Sequence, residues 1–399
     1  MPLPSGQPPK RPPCSRRRGA VILILLASLV VLVGALALAL NLSWLSAQRL
    51  ALQQACEAAA LAGAAELLDP GSGTADAAAA RVAAAGQQAA TFFNANSNTV
   101  LQTAGPDPDV VAGWVEDPTQ PGGTFSAWCG TGPVNSLVVR GVRRRSAGQA
   151  VALWFGRLLG VPNAEPAAAV RASIDQQVYG FRADGPALVP LVPLLVDATN
   201  AWPPAVCGSQ PAGQDLFSVD PRTGAVTSGP DGLAEITLAI CGASGSGGQT
   251  AAWLSLSGTA SDFALLEQQI SDGLAPSDLA AWGGNFALAG GTPLSVCQAA
   301  APNTAQAAAL QAALLAIRGQ KRIFPVGTLS TSGAGGGGNA GTVSMGQVTG
   351  FVAGCVVDCT LNEDAMTLVV ETCTIETSTA LVAAGWPDNP WIGKVVLGE

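Results

Sequence analysis

The stretch RRRGAVILILLASLVVLVGALALALNLSWLSAQRLALQQACEAAALAG, residues 16–63, decides how this chain folds. It passes from a basic cluster, Arg16, Arg17 and Arg18, into the uncharged run Gly19 to Gln48, and from there into an Ala-rich segment. A helix needs about 20 residues to cross a hydrocarbon core, and Val21 to Leu26, Leu29 to Val33 and Leu36 to Leu42 supply nearly continuous apolar surface. Lys10, Arg11 and the three arginines precede the run with no acid among them, and positive flanks stay on the cytoplasmic side. The pattern therefore predicts a single transmembrane helix over 19–45, with its N-terminus cytoplasmic and the bulk of the chain outside. Small-residue pairs such as Ala35 and Ala37 would suit a cleaved secretory signal. The apolar run is longer than the roughly 7–15 residues of a signal core, so a retained anchor is expected.

Working outward, residues 1–18 hold six prolines among basic side chains and read as a disordered cytoplasmic tail. On the other side, the helix is expected to continue without a break through Trp44, placed where an interfacial aromatic belongs, to Leu68. Along that continuation Ala51, Ala55, Ala59 and Gly63 recur every four residues and make one small-residue face. Such a face lets two helix backbones approach closely. It is the candidate for packing against other helices, including a second copy of this chain.

Charge and composition exclude several classes of function. The first 18 residues take five of the 19 basic side chains and none of the 27 acidic ones, leaving a strongly acidic exterior. Such a surface repels phosphate backbones, so no nucleic-acid partner is expected. Histidine is absent, which removes Ser-His-Asp and Cys-His arrangements and the commonest nitrogen ligand for transition metals. No enzymatic activity and no cofactor are expected. Of nine cysteines, Cys14 lies before the span. Among those beyond it, Cys129, Cys207, Cys241, Cys297, Cys355, Cys359 and Cys373 are candidates for disulfides in an oxidising compartment, with pairing left open.

Beyond the anchor the chain reads as α+β. Thr74 to Asn94 forms a second Ala-rich helix, capped by Thr74 or Asp76. Val110 to Val115, Thr124 to Trp128 and Leu137 to Val142 alternate like strands. Ala150 to Leu159 reads as a short apolar helix closed by Gly160, and Ala167 to Phe181 as one long strand. These make an α+β extracytoplasmic domain over 46–183. A second, β-rich region with a few short helices occupies 184–380, with strands at Glu235 to Cys241, Ala252 to Ser257, Arg322 to Leu329, Val343 to Val357 and Ala365 to Thr374. Helices are expected at Asp262 to Gly273, Pro276 to Trp282 and Thr304 to Arg318. Residues 381–399 show little pattern and are read as a tail.

Three further motifs fail on context. Gly333-Ala-Gly-Gly-Gly-Gly338 spells GxGxxG, but the residues after it read as a strand, whereas a dinucleotide site needs a helix there. Asp197-Ala-Thr199 resembles part of an adhesive metal site, yet Ala201 stands where a further oxygen ligand is required. Arg140, Arg143, Arg144 and Arg145 form a basic patch that reads as a solvated strand end.

The anchor segment, Arg16-Arg-Arg-Gly19 with the apolar span and Gln48 to Gly63 after it, resembles the N-terminal module of the TadE/TadG-like Flp pilus-assembly proteins. Asn135 to Arg140, Leu153-Trp-Phe-Gly-Arg-Leu-Leu-Gly160 and Ala167 to Ala172 are similar to the order of segments in longer TadG-like members. Asp220-Pro-Arg-Thr-Gly224, Pro230-Asp-Gly232 and Arg322-Ile-Phe-Pro325 resemble pieces of large planctomycete-type ones. The resemblance implies a non-catalytic, single-pass protein of the bacterial inner membrane. Its N-terminal helix would pack in the tight-adherence pilus machine, and its exported part would meet pilin subunits, other assembly proteins or envelope partners. An envelope adhesion protein sharing only the anchor module is the alternative. Gly19-Ala-Val-Ile-Leu-Ile24 lacks the glutamate that pilin-type cleavage requires, so a permanent anchor is expected.

Overall fold

The computed structural model describes residues 17–68, 75–97, 108–120, 122–157, 160–198, 214–220, 223–241, 249–256, 262–290, 292–299, 301–329, 345–362 and 365–398. Helix α1 runs from Arg17 to Ala65 and α2 from Ala75 to Ser97. Ten strands come next: β1 (Asp109–Trp114), β2 (Ser126–Ala127), β3 (Ser136–Val142), β4 (Val151–Ala152), β5 (Asn163–Ala164), β6 (Ala167–Asp175), β7 (Val178–Phe181), β8 (Leu194–Asp197), β9 (Phe217–Val219) and β10 (Val226–Ser228). After β11 (Glu235–Cys241) and β12 (Ala251–Ser255) come α3 (Phe263–Asp272), β13 (Phe286–Ala287), β14 (Leu294–Gln298) and α4 (Thr304–Ala316). The chain finishes with β15 (Lys321–Thr328), β16 (Met345–Leu361), β17 (Ala365–Thr372), β18 (Ile375–Glu376), β19 (Ala380–Val382) and β20 (Ile392–Gly398). This is the α+β architecture expected, a long N-terminal apolar helix and then a β-rich remainder with few short helices.

The chain divides into two compact units, one of residues 1–56, 94–108 and 140–169, the other of 57–93, 109–139 and 170–399. In the larger unit, strand pairings close on themselves. β11 pairs antiparallel with β17, β17 with β16 and β16 with β15. β15 then runs parallel to β8, β8 antiparallel to β12, and the parallel pair Ile240 and Ala251 returns from β12 to β11. Closure leaves few free edges, which is how antiparallel sheets avoid edge-to-edge association. The two faces of this ring are both buried. Leu194, Val196, Leu238, Trp253, Phe324, Val356 and Leu368 pack with α3 and α4, while Leu195, Leu254, Ile323, Val348 and Ala353 pack with β7, β13 and β19. Asn303 and Gln306 form a reciprocal capping box at the start of α4, satisfying amide groups the helix itself leaves open.

Several segments differ from the sequence expectation. Ala167 to Phe181 is two strands: the Asp175 carboxylate accepts from the Gln177 amide at 2.9 Å, turning the chain so that β7 joins β13 and β19 instead of continuing β6. Pro276 to Trp282 contributes only a 3-10 turn, Ala280–Trp282. Residues read as a tail supply β20, which lies antiparallel to β6 with Lys394 opposite Asp175. Burial dominates the environment of the Asp175 carboxyl and raises its pKa.

The expected helix from Ala150 to Leu159 is a hairpin over its described residues. Val151 and Ala152 pair with Ala164 and Asn163, and the Val161 amide donates to the Gly156 carbonyl at 2.8 Å. Two glycines explain the change. A Cβ on Gly156 would lie 2.2 Å from the Val161 carbonyl oxygen, and Gly160 sits at φ +78°, a left-handed conformation that suits glycine and ends helices. Pro162 just beyond cannot continue a helix.

Candidate functional site

Helix α1 changes surroundings part-way along its length. Its apolar portion has a mean hydropathy of 3.1 and is long enough to cross a membrane, with 6% of that span buried. The first deeply buried side chain along it is Ala37, and after it at helical spacing come Asn41, Gln48, Leu52, Ala55 and Ala59. The spacing of three, four and seven residues keeps these on one side of a 3.6-residue helix, while Arg49, Gln53 and Gln54 on the opposite side are exposed.

The small-residue face is largely covered by the chain's own fold. Ala51 is half-buried, Ala55 and Ala59 are fully buried, and Gly63 is buried against α2 and β3. At Gly63 a Cβ would come within 2.4 Å of the Leu137 side chain, 2.9 Å of the Ala85 carbonyl oxygen and 3.0 Å of the Ala89 Cβ. Removing the side chain is what allows so close an approach. Gly34, in the apolar half, has open space around it.

Around residues 41–44 the smaller unit makes a local clamp that the sequence reading did not find. The Asn41 Oδ1 accepts from the Phe155 amide at 3.3 Å, and the Trp44 and Trp154 rings lie 6.2 Å apart and tilted. Further along, the Cys56 thiol donates to the Ala168 carbonyl at 3.8 Å. A lone Asn at the end of an apolar run was the available signal, since a buried amide needs partners.

Arg16 lies outside the described residues, and Arg17 and Arg18 occupy the first turn of α1. The basic patch separates. Arg140, Arg144 and Arg145 are exposed, whereas Arg143 is buried, donates to the Ser97 carbonyl at 3.3 Å, and has its pKa lowered by burial.

No disulfide joins Cys56, Cys129, Cys297, Cys355, Cys359 or Cys373 among the described residues; Cys207 and the side chain of Cys241 lie outside them. The Cys355 thiol on β16 and the Cys373 thiol just past the end of β17 hydrogen-bond to each other, which lowers the Cys355 pKa and raises that of Cys373. Cys359 faces the core, and burial pushes its pKa up to about 12. The Cys297 thiol meets the Met345 sulfur at 3.7 Å.

A row of polar side chains crosses the ring beside Cys355. Lys321 stands opposite Cys355, Cys355 opposite Glu371, and Glu371 opposite Glu235. The Glu235 carboxylate accepts from the Leu216 and Phe217 amides. Glu371 is 2% exposed, and its Oε2 has no hydrogen-bond partner among the described residues. Burial first, then the charges of Asp231, Glu235 and Asp215, push its pKa up to about 7. Among the described residues no group of three or more acids and cysteines is arranged to hold a metal ion. The Gly333–Gly338 motif and Thr199 lie outside them.

Neither the curated proteins nor the solved structures contain a match to this chain. Residues 19–66, the apolar span and the small-residue continuation of α1, match the family described as "Putative Flp pilus-assembly TadE/G-like".

Proposed function

We propose that the protein is a non-catalytic, membrane-anchored component of Flp (tight-adherence) pilus assembly. On this proposal it sits in the bacterial inner membrane with its N-terminus in the cytoplasm. The observation that carries it is that the matched residues 19–66 lie, all but the last, on the single helix α1, apolar and exposed at one end and built into the folded exterior at the other. An exposed apolar surface of that extent needs lipid or a partner helix around it. Because Ala55, Ala59 and Gly63 are already covered, the surface open to other helices of the machine, or to a second copy, is Val21 to Leu36. The exterior region then presents its outer faces to pilin or other assembly subunits.

Crosslinking in intact cells, with purification of the tagged full-length protein and mass spectrometry, tests the assignment. Recovery of the assembly ATPase, platform or pilin subunits, together with loss of surface filaments on deletion, is the expected result. A protein recovered alone from cells whose filaments persist without it would overturn the role. Persistence of filaments with loss of attachment would make it an adhesion protein instead. Protease added outside the inner membrane should digest the exterior region and spare an N-terminal tag; the reverse would overturn the orientation.

A further inference from the structure

The hairpin beside Asn41 is placed where a membrane surface would meet it. Val21 to Asn41 spans about 30 Å at helical rise, which is the thickness of a hydrocarbon core. Arg18 and Arg49 bracket the whole uncharged stretch at about 46 Å, close to a bilayer with its headgroups. Both measures put Asn41 to Trp44 at the outer boundary between acyl chains and headgroups. The hairpin is tied to this level by the Phe155 amide on Asn41 and the Trp154 ring beside Trp44.

Its side chains have the chemistry of that boundary. Trp154 is 74% exposed, more than any of the large apolar residues of the span itself, and Val161 is 55% exposed. Arg157, between them in the turn, is exposed as well. An exposed tryptophan with an adjacent cation is poorly suited to bulk water. It fits the interfacial zone, where the ring lies among the upper acyl chains and the guanidinium reaches phosphates.

We propose that Trp154, Arg157 and Val161 of this hairpin make a lipid-binding foot. Trp154 and Val161 insert at the outer headgroup boundary of the membrane that α1 crosses, and Arg157 pairs with lipid phosphates. The occupant is the lipid surface because the hairpin is joined to α1, through Asn41 and Trp44, where its exposed apolar span ends. The foot would hold the hairpin against the membrane independently of any assembly partner. The proposal rests on the membrane-anchored function proposed for α1.

The test uses the full-length protein in vesicles of phosphatidylcholine and phosphatidylglycerol doped with a phospholipid bearing a diazirine near the glycerol end of its acyl chain. After illumination, adducts are mapped by peptide mass spectrometry. Adducts on Leu153 to Arg157 and on Val161, alongside those on Val21 to Leu42, are expected. Adducts on the anchor with none on the hairpin would overturn the foot and leave the anchor standing. Absence of adducts on both would overturn the membrane anchoring itself. Trp154→Ser should lower the hairpin yield several-fold without changing the anchor yield. Arg157→Glu should lower it in phosphatidylglycerol-rich vesicles more than in pure phosphatidylcholine, and an equal loss in both would remove the phosphate contact from the proposal. The wild-type map needs no substitution, so it decides the matter even where a variant misfolds.

Discussion

Between Val21 and Leu36, helix α1 is exposed around nearly its whole circumference, whereas from Ala37 to Ala59 one side of the same helix is buried, and by Ala64 the burial extends around it. The exposed half is the more hydrophobic, built from Leu, Val and Ile; the buried half is built on Ala and Gly. Hydrophobicity alone therefore did not choose what the chain buries. Large branched side chains all round a helix suit a lipid solvent, which fits any shape. A small-residue stripe suits a fixed neighbour, because close approach of two backbones recovers dispersion contacts that only a matched surface offers.

The sharpest way to break this comparison is to make the same substitution in both halves. Gly63→Ala adds a methyl group that meets Leu137, the Ala85 carbonyl and Ala89, and it should lower stability by about 1–3 kcal/mol, the usual range for overpacking. Gly34→Ala adds the same group in open space. Thermal unfolding of both variants in the same detergent should show a fall in Tm for the first and none for the second. Equal shifts would mean that α2 does not press on α1 at Gly63.

Buried polar groups extend the contrast, and the next effect in size is at Glu371. Its carboxyl holds a proton up to about pH 7 in the fold against an ordinary value of 4.5. A raised folded pKa gives stability that is fully present below about pH 4.5, declines as pH rises toward 7 and is flat beyond. Glu371→Gln should remove that decline and be more stable than the parent at pH 8 by on the order of 2 kcal/mol. Denaturant midpoints at pH 4.5, 6 and 8 would show it; an unchanged slope would place the carboxylate in water.

A smaller effect is expected where the two halves of α1 meet. Asn41→Leu removes the acceptor for the Phe155 amide while also removing a buried Nδ2 that has no partner among the described residues. The net cost should be about 1 kcal/mol or less, seen as faster hydrogen exchange at Phe155 with little change in overall Tm. The smallest effect belongs to Gly34→Ala. It should leave stability unchanged or raise it by a few tenths of a kcal/mol through helix propensity, and a measurable loss there would reveal a helix packed against the span.

Legibility from sequence tracked the range of the interactions involved. The two N-terminal helices, β11, α3 and α4 rest on local periodicity and caps, and their outlines could be read from spacing. The hairpin at Val151 could not. Its residues Leu153, Trp154 and Phe155 make an apolar run that a helix would accommodate equally well, and the deciding facts are the close approach of Val161 to Gly156 and the Asn41 side chain more than a hundred positions away. The break between β6 and β7 turned on one carboxylate, and β20 had no local signal because its partner is Ala167–Asp175. Candidate residues divided in the same way. The small face was visible as a four-residue repeat, but nothing in the repeat said that α2 of the same chain would cover Gly63. Cys355 and Cys373 were two of seven candidate cysteines until strand register made them neighbours.

By itself the sequence determined the apolar span, the sign of charge on either side of it, the absence of imidazole chemistry and the α+β character of the remainder. These depend on composition and on neighbours within a turn or two of helix. Only the tertiary structure decided which face of α1 is already occupied, where the β11–β17–β16–β15–β8–β12 ring closes, and that Trp154 sits at the level of Trp44. Those outcomes depend on contacts between distant segments, whose pairing is selected by shape and by the satisfaction of buried polar groups.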